Sequence, residues 1–308
     1  MTASVSAILP NYNYARFLKE RVRSIAGQTL PPREILYVDD ASTDRSADVI
    51  RTFQDVPNLK MRECPENSGT VYRRWNEAAE EATGDWLWFP NADDSADPFF
   101  LERMAQMAQA HPSAALLYAR PTYMNGTGVI THSYVHWYND AMREFGGVTF
   151  EKGSDVLALH TSTCFLKSAS AVLIRRDAFT ALGGFDTRLW GIADWDFYLR
   201  MLHGYDFAYT ATPLCFLRAH EENTTGKTDH TRKSLLDAYC VAAAYERMAG
   251  DTRYGERARA EARRQAKLRL FELLIEKELV VAPALRFAVE ALQRVTPHRR
   301  LQALLETP

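Results

Sequence analysis

Three short segments place acids, amides and hydroxyls directly after apolar, strand-like runs: Leu9-Pro10-Asn11-Tyr12-Asn13-Tyr14, Val38-Asp39-Asp40-Ala41-Ser42-Thr43-Asp44 and Trp88-Phe89-Pro90-Asn91-Ala92-Asp93-Asp94. In open parallel sheets, ligands bind beyond the carboxyl ends of the strands, so these are the places to look for chemistry. Each segment alone is equally a turn or helix cap, because Asp, Asn and Ser readily bond to nearby backbone. Three at one sheet edge point further. A carboxylate pair such as Asp39 and Asp40 can accept hydrogen bonds from a base or ribose. A second set of oxygen ligands, Asn91 and Asp93, can hold Mg²⁺ or Mn²⁺ beside a diphosphate. Together they suggest a nucleotide with a metal.

Rival nucleotide and metal chemistries are poorly served. The turn Pro10-Asn11-Tyr12-Asn13 lacks the glycines of a dinucleotide fingerprint. Gly226-Lys227-Thr228 resembles the end of a phosphate loop, but Glu221 stands where its first glycine belongs. His220-Glu221 lacks the second histidine of a zinc protease helix.

The elements that must carry these segments alternate, which is the pattern of βαβ units around a mostly parallel sheet. Strands are expected at Val5–Leu9, Ile35–Asp39, Leu59–Glu63, Trp86–Asn91 and Ala114–Tyr118, with helices at Ala15–Gln28, Arg45–Gln54, Val71–Ala82 and Pro98–Ala110. Asp97 is the expected N-cap of the last helix, with Pro98 at its first position, and Gly84 the C-cap of the third. Residues 119–163 lack clear periodicity and read as loops and irregular strands that shape a pocket. Further on come a strand at Ala171–Ile174, a helix at Arg176–Leu182 broken by Gly183-Gly184, a helix from Asp194 to His203, and strands at Phe207–Thr210 and Leu214–Arg218. The fold class is therefore α/β, a Rossmann-like sheet flanked by helices. Residues 1–228 are expected to form the nucleotide-binding domain and 229–308 a helical C-terminal appendage. That appendage suits packing, homodimerisation or a membrane-surface contact through Arg286, Arg294, His298, Arg299 and Arg300.

Composition bounds the function. The chain has 308 residues, 46% hydrophobic and 25% charged, with a net charge of -2, which gives no global field for nucleic acid. No nucleic-acid partner is expected. The apolar run Leu279–Leu285 is far short of the ~20 residues of a membrane span, and the start lacks the basic and apolar regions of a signal peptide. A cytoplasmic protein is expected, with a peripheral contact at the inner face of the membrane as a further option. Cys64, Cys164, Cys215 and Cys240 have no metal-like spacing and are expected to be reduced.

The chain resembles the family 2 glycosyltransferases of the GT-A fold. The resemblance is carried by Ile8-Leu9-Pro10-Asn11-Tyr12-Asn13, Tyr37-Val38-Asp39-Asp40-Ala41-Ser42-Thr43-Asp44, Asn67-Ser68-Gly69 and Asn76-Glu77-Ala78. It continues through Asn91-Ala92-Asp93-Asp94, Gly184-Phe185-Asp186, Asp194-Trp195-Asp196 and Arg218-Ala219-His220, in the family's order over about residues 4–225.

The resemblance implies an inverting enzyme. It would move one sugar from a nucleoside-diphosphate donor, UDP ahead of other nucleotides, to a hydroxyl of a glycan or lipid-linked acceptor in bacterial surface polysaccharide assembly. Asp39, Asp40, Pro10, Tyr12 and Asn67 would line the nucleotide site. Asn91-Ala92-Asp93 occupies the place of the D-x-D metal motif, with a neutral amide at its first position, so Asp93 carries the charge for Mg²⁺ or Mn²⁺. Asp194 matches the catalytic base, although Ala193 stands where the family has Glu; an N-cap role for Asp194 is the alternative, and Asp196 is the next candidate. His220 matches a histidine near metal or diphosphate, and Arg218 would face the phosphates. Trp190 and Trp195 flank the base, where an indole can pack on a sugar, though Trp195 is equally suited to the core.

Asn91 and Ala193 also admit a weakened relative that binds nucleotide sugar or glycan as a partner subunit; Asp93, Asp194 and His220 argue against it. A sugar-phosphate nucleotidyltransferase would need a Gly-rich basic loop after the first strand, which is absent. A processive synthase would need membrane helices and a Q-x-x-R-W motif, and the chain shows neither.

Overall fold

A computed structural model describes residues 3–133, 148–153, 166–189 and 191–221. The elements in chain order are β1 (Val5–Asn11), α1 (Ala15–Ala26), β2 (Glu34–Asp39), α2 (Ser46–Arg51), β3 (Leu59–Glu63), α3 (Val71–Glu81), β4 (Trp86–Trp88) and β5 (Ser95–Ala96). There follow α4 (Phe100–Ala110), β6 (Ala114–Asn125), β7 (Ile130–Ser133), β8 (Val148–Glu151), a 3₁₀ turn (Ala169–Ala171), β9 (Val172–Arg175), α5 (Arg176–Ala181), α6 (Ala193–Gly204) and β10 (Asp206–Ala219).

The strands form one ten-stranded sheet in the order β3-β2-β1-β4-β9-β6-β10-β5, with β7 beside β6 and β8 beside β10. β1 to β4 pair in parallel, as their helical connections require. β9 then lies antiparallel between β4 and β6, and β6 pairs in parallel with β10.

Every residue of β1 and β2 is buried, as expected of strands covered on both faces. Alternation sorts their side chains into two cores. Val5, Ala7 and Leu9 of β1 pack with Ile35 and Tyr37 of β2 against Leu18 and Val22 of α1 and Phe100 and Leu101 of α4. Ile8, Leu36 and Val38 face Tyr72 and Trp75 of α3, Phe179 of α5 and Phe197 of α6. An aromatic cluster fixes the second core: the Phe185 ring lies 5.3 Å from those of Trp75, Phe89 and Phe179, and 4.9 Å from that of Phe197.

Several details differ from the sequence expectations. α4 begins at Phe100, not Pro98, because the Asp97 carboxylate and carbonyl first close a turn onto the amides of Phe99 and Phe100. Gly84 is no C-cap. A Cβ there would lie 2.6 Å from the Ser6 amide nitrogen, so glycine lets the chain press against β1 before β4 begins. The two strands expected at Phe207–Thr210 and Leu214–Arg218 are one, β10, with register shifts between Thr210 and Cys215. β6 runs on to Asn125 within the segment expected to be irregular. Cys64 and Cys215 are free thiols, whereas Cys164, Cys240, Trp190 and the expected appendage at 229–308 lie outside the described residues. Among the described residues, no helix is long and apolar enough to cross a membrane.

Candidate active site

The loops after β1 and β2 lock onto each other. Asn11 Nδ2 donates to Asp39 Oδ2 and Ser42 Oγ, and Asn13 Oδ1 accepts from the amides of Thr43 and Asp44. Asn13 and Ala41 both sit at positive φ, 60° and 62°. Asp39 also accepts from Tyr37 Oη and the Ser42 amide, so its carboxylate organises the edge from within. Pro10 is buried in β1, whereas Tyr12 beyond it is 45% exposed and available to a ligand.

Asp40 is the anchor of the next loop. Its carboxylate accepts from Arg74 Nε at 2.6 Å, Ser68 Oγ at 2.7 Å, the Ser68 amide and Asn67 Nδ2. Arg74 Nη2 also donates to the Glu66 carbonyl. Asp40 thus braces residues 66–70 and α3. Asn67 is exposed, and its Oδ1 closes a tight turn onto the Gly69 amide.

After β4, Asn91 turns inward. Its Nδ2 donates to Ser168 Oγ at 3.0 Å and lies 3.4 Å from Asp94 Oδ2, while its amide donates to Ser170 Oγ. Asp94 is the buried hub. Oδ2 accepts from Ser170 Oγ at 2.6 Å and Ser168 Oγ at 3.0 Å, and Oδ1 from the Arg218 amide at 3.0 Å. Burial and the Asp93 charge push the Asp94 carboxyl up to about 6, against the pull of Arg21. Arg21 lies fully buried beneath, over the Trp88 ring at 5.1 Å.

Asp93 Oδ2 lies 3.1 Å from His220 Nε2. His220 is not a solvated loop histidine. Its ring packs on Phe17 at 4.7 Å and Tyr14 at 5.9 Å, at the start of α1. Two adjacent ligands of an octahedral cation with bonds of 2.0–2.1 Å stand about 3 Å apart, so one carboxylate oxygen and one imidazole nitrogen are spaced to share a hard cation. Among the described residues, no group of three or more His, Cys, Asp or Glu side chains is placed to hold a metal ion.

Arg218 lies inside the protein, bound to the loop that carries Asp93. Its side chain is 2% exposed, and its guanidinium donates to the Asp93 carbonyl, pairs with Glu20 at 2.6 Å and lies over Phe17 at 5.0 Å. It supports the backbone that presents Asp93.

Asp194 stands in the first turn of α6, one residue past the helix start at Ala193; the N-cap position belongs to Ile192. Its side chain nonetheless accepts from the Trp195 amide of that first turn, so a helix-end role and a base role are compatible. Oδ1 accepts from Tyr72 Oη at 3.1 Å and the Trp195 amide at 2.9 Å. Burial raises its proton affinity, opposed by these two donors. Asp196, the next candidate base, is held by Arg200 at 2.9 Å, whose other nitrogens donate to the carbonyls of Leu182 and Gly184. Trp195 is half-buried and packs against the second core. The turn before α6 is fixed by Asn76 of α3, whose amide donates to the Phe185 carbonyl and accepts from its amide.

Tyr72, Ser168, Ser170, Asp94 and Arg21 are the supporting residues that sequence reasoning did not single out. Ser168 alone leaves a trace in its conformation, a φ of 66° at a non-glycine residue, which no sequence pattern marks.

The chain can be placed among known proteins. Residues 6–182, more than half of the chain, match the family described as Glycosyl transferase family 2. The chain belongs to the family 2 glycosyltransferases. Over 126 residues it is 32% identical to the poly(ribitol-phosphate) beta-N-acetylglucosaminyltransferase TarS of Staphylococcus aureus, covering 40% of this chain and 22% of TarS. Over 198 residues it is 31% identical to a PGL/p-HBAD biosynthesis glycosyltransferase of Mycobacterium bovis, 63% of this chain and 68% of that one. The GT-A fold is shared with the crystal structure of S. aureus TarS 1-349 in complex with UDP-GlcNAc (TM-score 0.65, 18% identity, 98% of this chain and 83% of that one). It is shared also with the mannosyltransferase PcManGT from Pyrobaculum calidifontis in complex with GDP-Man and Mn²⁺ (TM-score 0.60, 19% identity, 99% and 85%).

Proposed function

We propose that this chain transfers a single sugar from a nucleoside-diphosphate donor to an acceptor hydroxyl with inversion at the anomeric carbon, using Asp194 as general base. The observation that carries this reading is the contrast between two neighbouring acids. Asp196 is neutralised by Arg200, whereas Asp194, partly buried, has a raised proton affinity and accepts at Oδ1 from Tyr72 Oη and the Trp195 amide. In this reading Oδ2 takes the proton of the acceptor hydroxyl. As the acceptor oxygen bonds to C1, its proton passes to Asp194, the bond from C1 to the diphosphate breaks, and the electron pair leaves with the diphosphate.

The nucleotide lies along the carboxyl edge, with Tyr12 and Asn67 beside it and the Asp39 and Asp40 networks holding its loops. Asp93 and His220 would hold Mg²⁺ or Mn²⁺. A cation held there would offset the charge gathering on the departing diphosphate. The neighbours named above hold UDP-GlcNAc and GDP-Man, both nucleoside-diphosphate sugars, which supports the donor class; UDP is the first candidate. The acceptor is a glycan or lipid-linked glycan of a surface polymer, a class to which the printed names of the relatives lend support. The spacing of Asp93 and His220 and the poise of Asp194 favour an enzyme over a nucleotide-sugar-binding partner.

The test is ligand-linked stability. UDP and GDP, each with Mn²⁺, are titrated into the full chain while its melting temperature is followed. A ligand at 100 times its Kd stabilises by about 2.7 kcal/mol, a rise of several degrees for a chain of this size. If no nucleoside diphosphate shifts the melting temperature, the proposal fails.

A further inference from the structure

We propose that Tyr72 is a positioning residue for Asp194, its phenol oxygen fixing the carboxylate's orientation and keeping it in the ionised form that a base requires. The inference rests on the reading of Asp194 as base and adds the group that sets its readiness. The two residues are 122 positions apart and meet only through the fold. Tyr72 Oη donates to Asp194 Oδ1 at 3.1 Å from the first turn of α3, and the Tyr72 ring is buried against Trp75 and Phe185, each with ring centres 5.6 Å away. Its orientation is therefore set by packing.

The chemistry runs one way. Burial and the Asp194 charge raise the Tyr72 phenol well above its ordinary range, so it stays protonated and acts as a permanent donor. A hydrogen bond to the charged form of an acid favours that form, and Tyr72 thereby opposes the burial that raises the proton affinity of Asp194. Among the described residues, the other groups acting on Asp194 are the Trp195 amide, its own backbone amide and the Lys167 cation ahead of the 3₁₀ turn; Tyr198 acts on Tyr72, and Asp196 is paired with Arg200.

The position of Tyr72 in α3 gives the contact a wider meaning. Two residues on, Arg74 bonds Asp40 and the Glu66 carbonyl at the nucleotide edge, and Asn76 grips Phe185 in the turn that leads to α6. One stretch of helix thus ties the donor-side loop to the acceptor-side base.

The experiment is an NMR titration of the full chain with ¹³C-labelled aspartate carboxyls, Asp194 being assigned from the signal lost in Asp194→Asn. Tyr72→Phe keeps the ring and its packing, so the fold is retained. The Asp194 titration should move up by about one pH unit, the share of one hydrogen bond to a carboxylate. The affinity for UDP with Mn²⁺ should stay within about twofold. Trp75→Phe perturbs the same aromatic cluster without touching Asp194, so it should leave the titration in place even where stability falls. An unmoved titration in Tyr72→Phe, or an equal shift in Trp75→Phe, overturns this inference alone. Full turnover in Asp194→Asn overturns the base reading beneath it.

Discussion

His220 Nε2 and Asp93 Oδ2 lie 3.1 Å apart, although 127 positions separate them in the chain. They meet because β10 ends beside the loop that follows β4, with Arg218 bridging the two through the Asp93 carbonyl and the Asp94 carboxylate.

If this pair shares a cation with the diphosphate, Mn²⁺ should strengthen UDP binding. Asp93→Ala should remove nearly all of that gain. His220→Ala should remove about a tenfold part of it, because the imidazole brings a ligand but no negative charge. Calorimetry with Mn²⁺ and with chelator checks this, and equal UDP affinity in both conditions would count against the site.

Arg218 gives a prediction of a different kind. Its buried guanidinium satisfies Glu20 and the Asp93 carbonyl, so Arg218→Met should cost about 2–4 kcal/mol in urea unfolding as those groups lose their partner. Unchanged stability with weakened nucleotide binding would instead place Arg218 on the phosphates.

The fold was largely legible because its signals are local. β3 occupies the expected Leu59–Glu63, and α1, α3 and α6 lie within two residues of their expected bounds. The apolar runs of β1 and β2 and the polar clusters at their ends marked the site edge. What stayed hidden depends on long-range meetings. No spacing rule brings Tyr72 to Asp194 or Ser168 and Ser170 to Asp94, and Arg218 reads as a phosphate ligand until its burial is known. The antiparallel entry of β9 between β4 and β6 is likewise a property of the assembled sheet, since the run Val172–Arg175 looks the same in either direction.

Stability should fall in acid through Glu34. Burial raises its proton affinity, but donors from Lys60, Thr83 and Ser6 outweigh burial and hold the carboxyl at about 2. A group depressed on folding contributes stability that is full above its unfolded value of about 4.3 and is lost as pH falls towards 2. The contribution is about 2–3 kcal/mol, trimmed because Lys60 is solvent-exposed. Glu34→Gln should therefore flatten the loss of unfolding free energy between pH 4.5 and 2, and an unchanged slope would refute the assignment.

Ala41 occupies the left-handed region at a φ of 62°, where a Cβ costs about 1–2 kcal/mol and glycine costs no strain. Ala41→Gly should stabilise the chain by about 0.5–1 kcal/mol after the entropy of the freer unfolded chain is subtracted. A net loss of stability in urea titration would show that the turn carries no such strain.

The most direct test is turnover of Asp194→Asn beside Asp196→Asn, on a donor and acceptor pair verified with the parent chain. Asn keeps the size and a hydrogen-bond acceptor at residue 194 but cannot take the proton. Turnover should fall about 10²–10⁴-fold in Asp194→Asn, with melting temperature and UDP affinity retained. Asp196→Asn should lose stability as its Arg200 pair is broken, while keeping most of its turnover. Near-full turnover in Asp194→Asn, or a collapse confined to Asp196→Asn, would contradict the account.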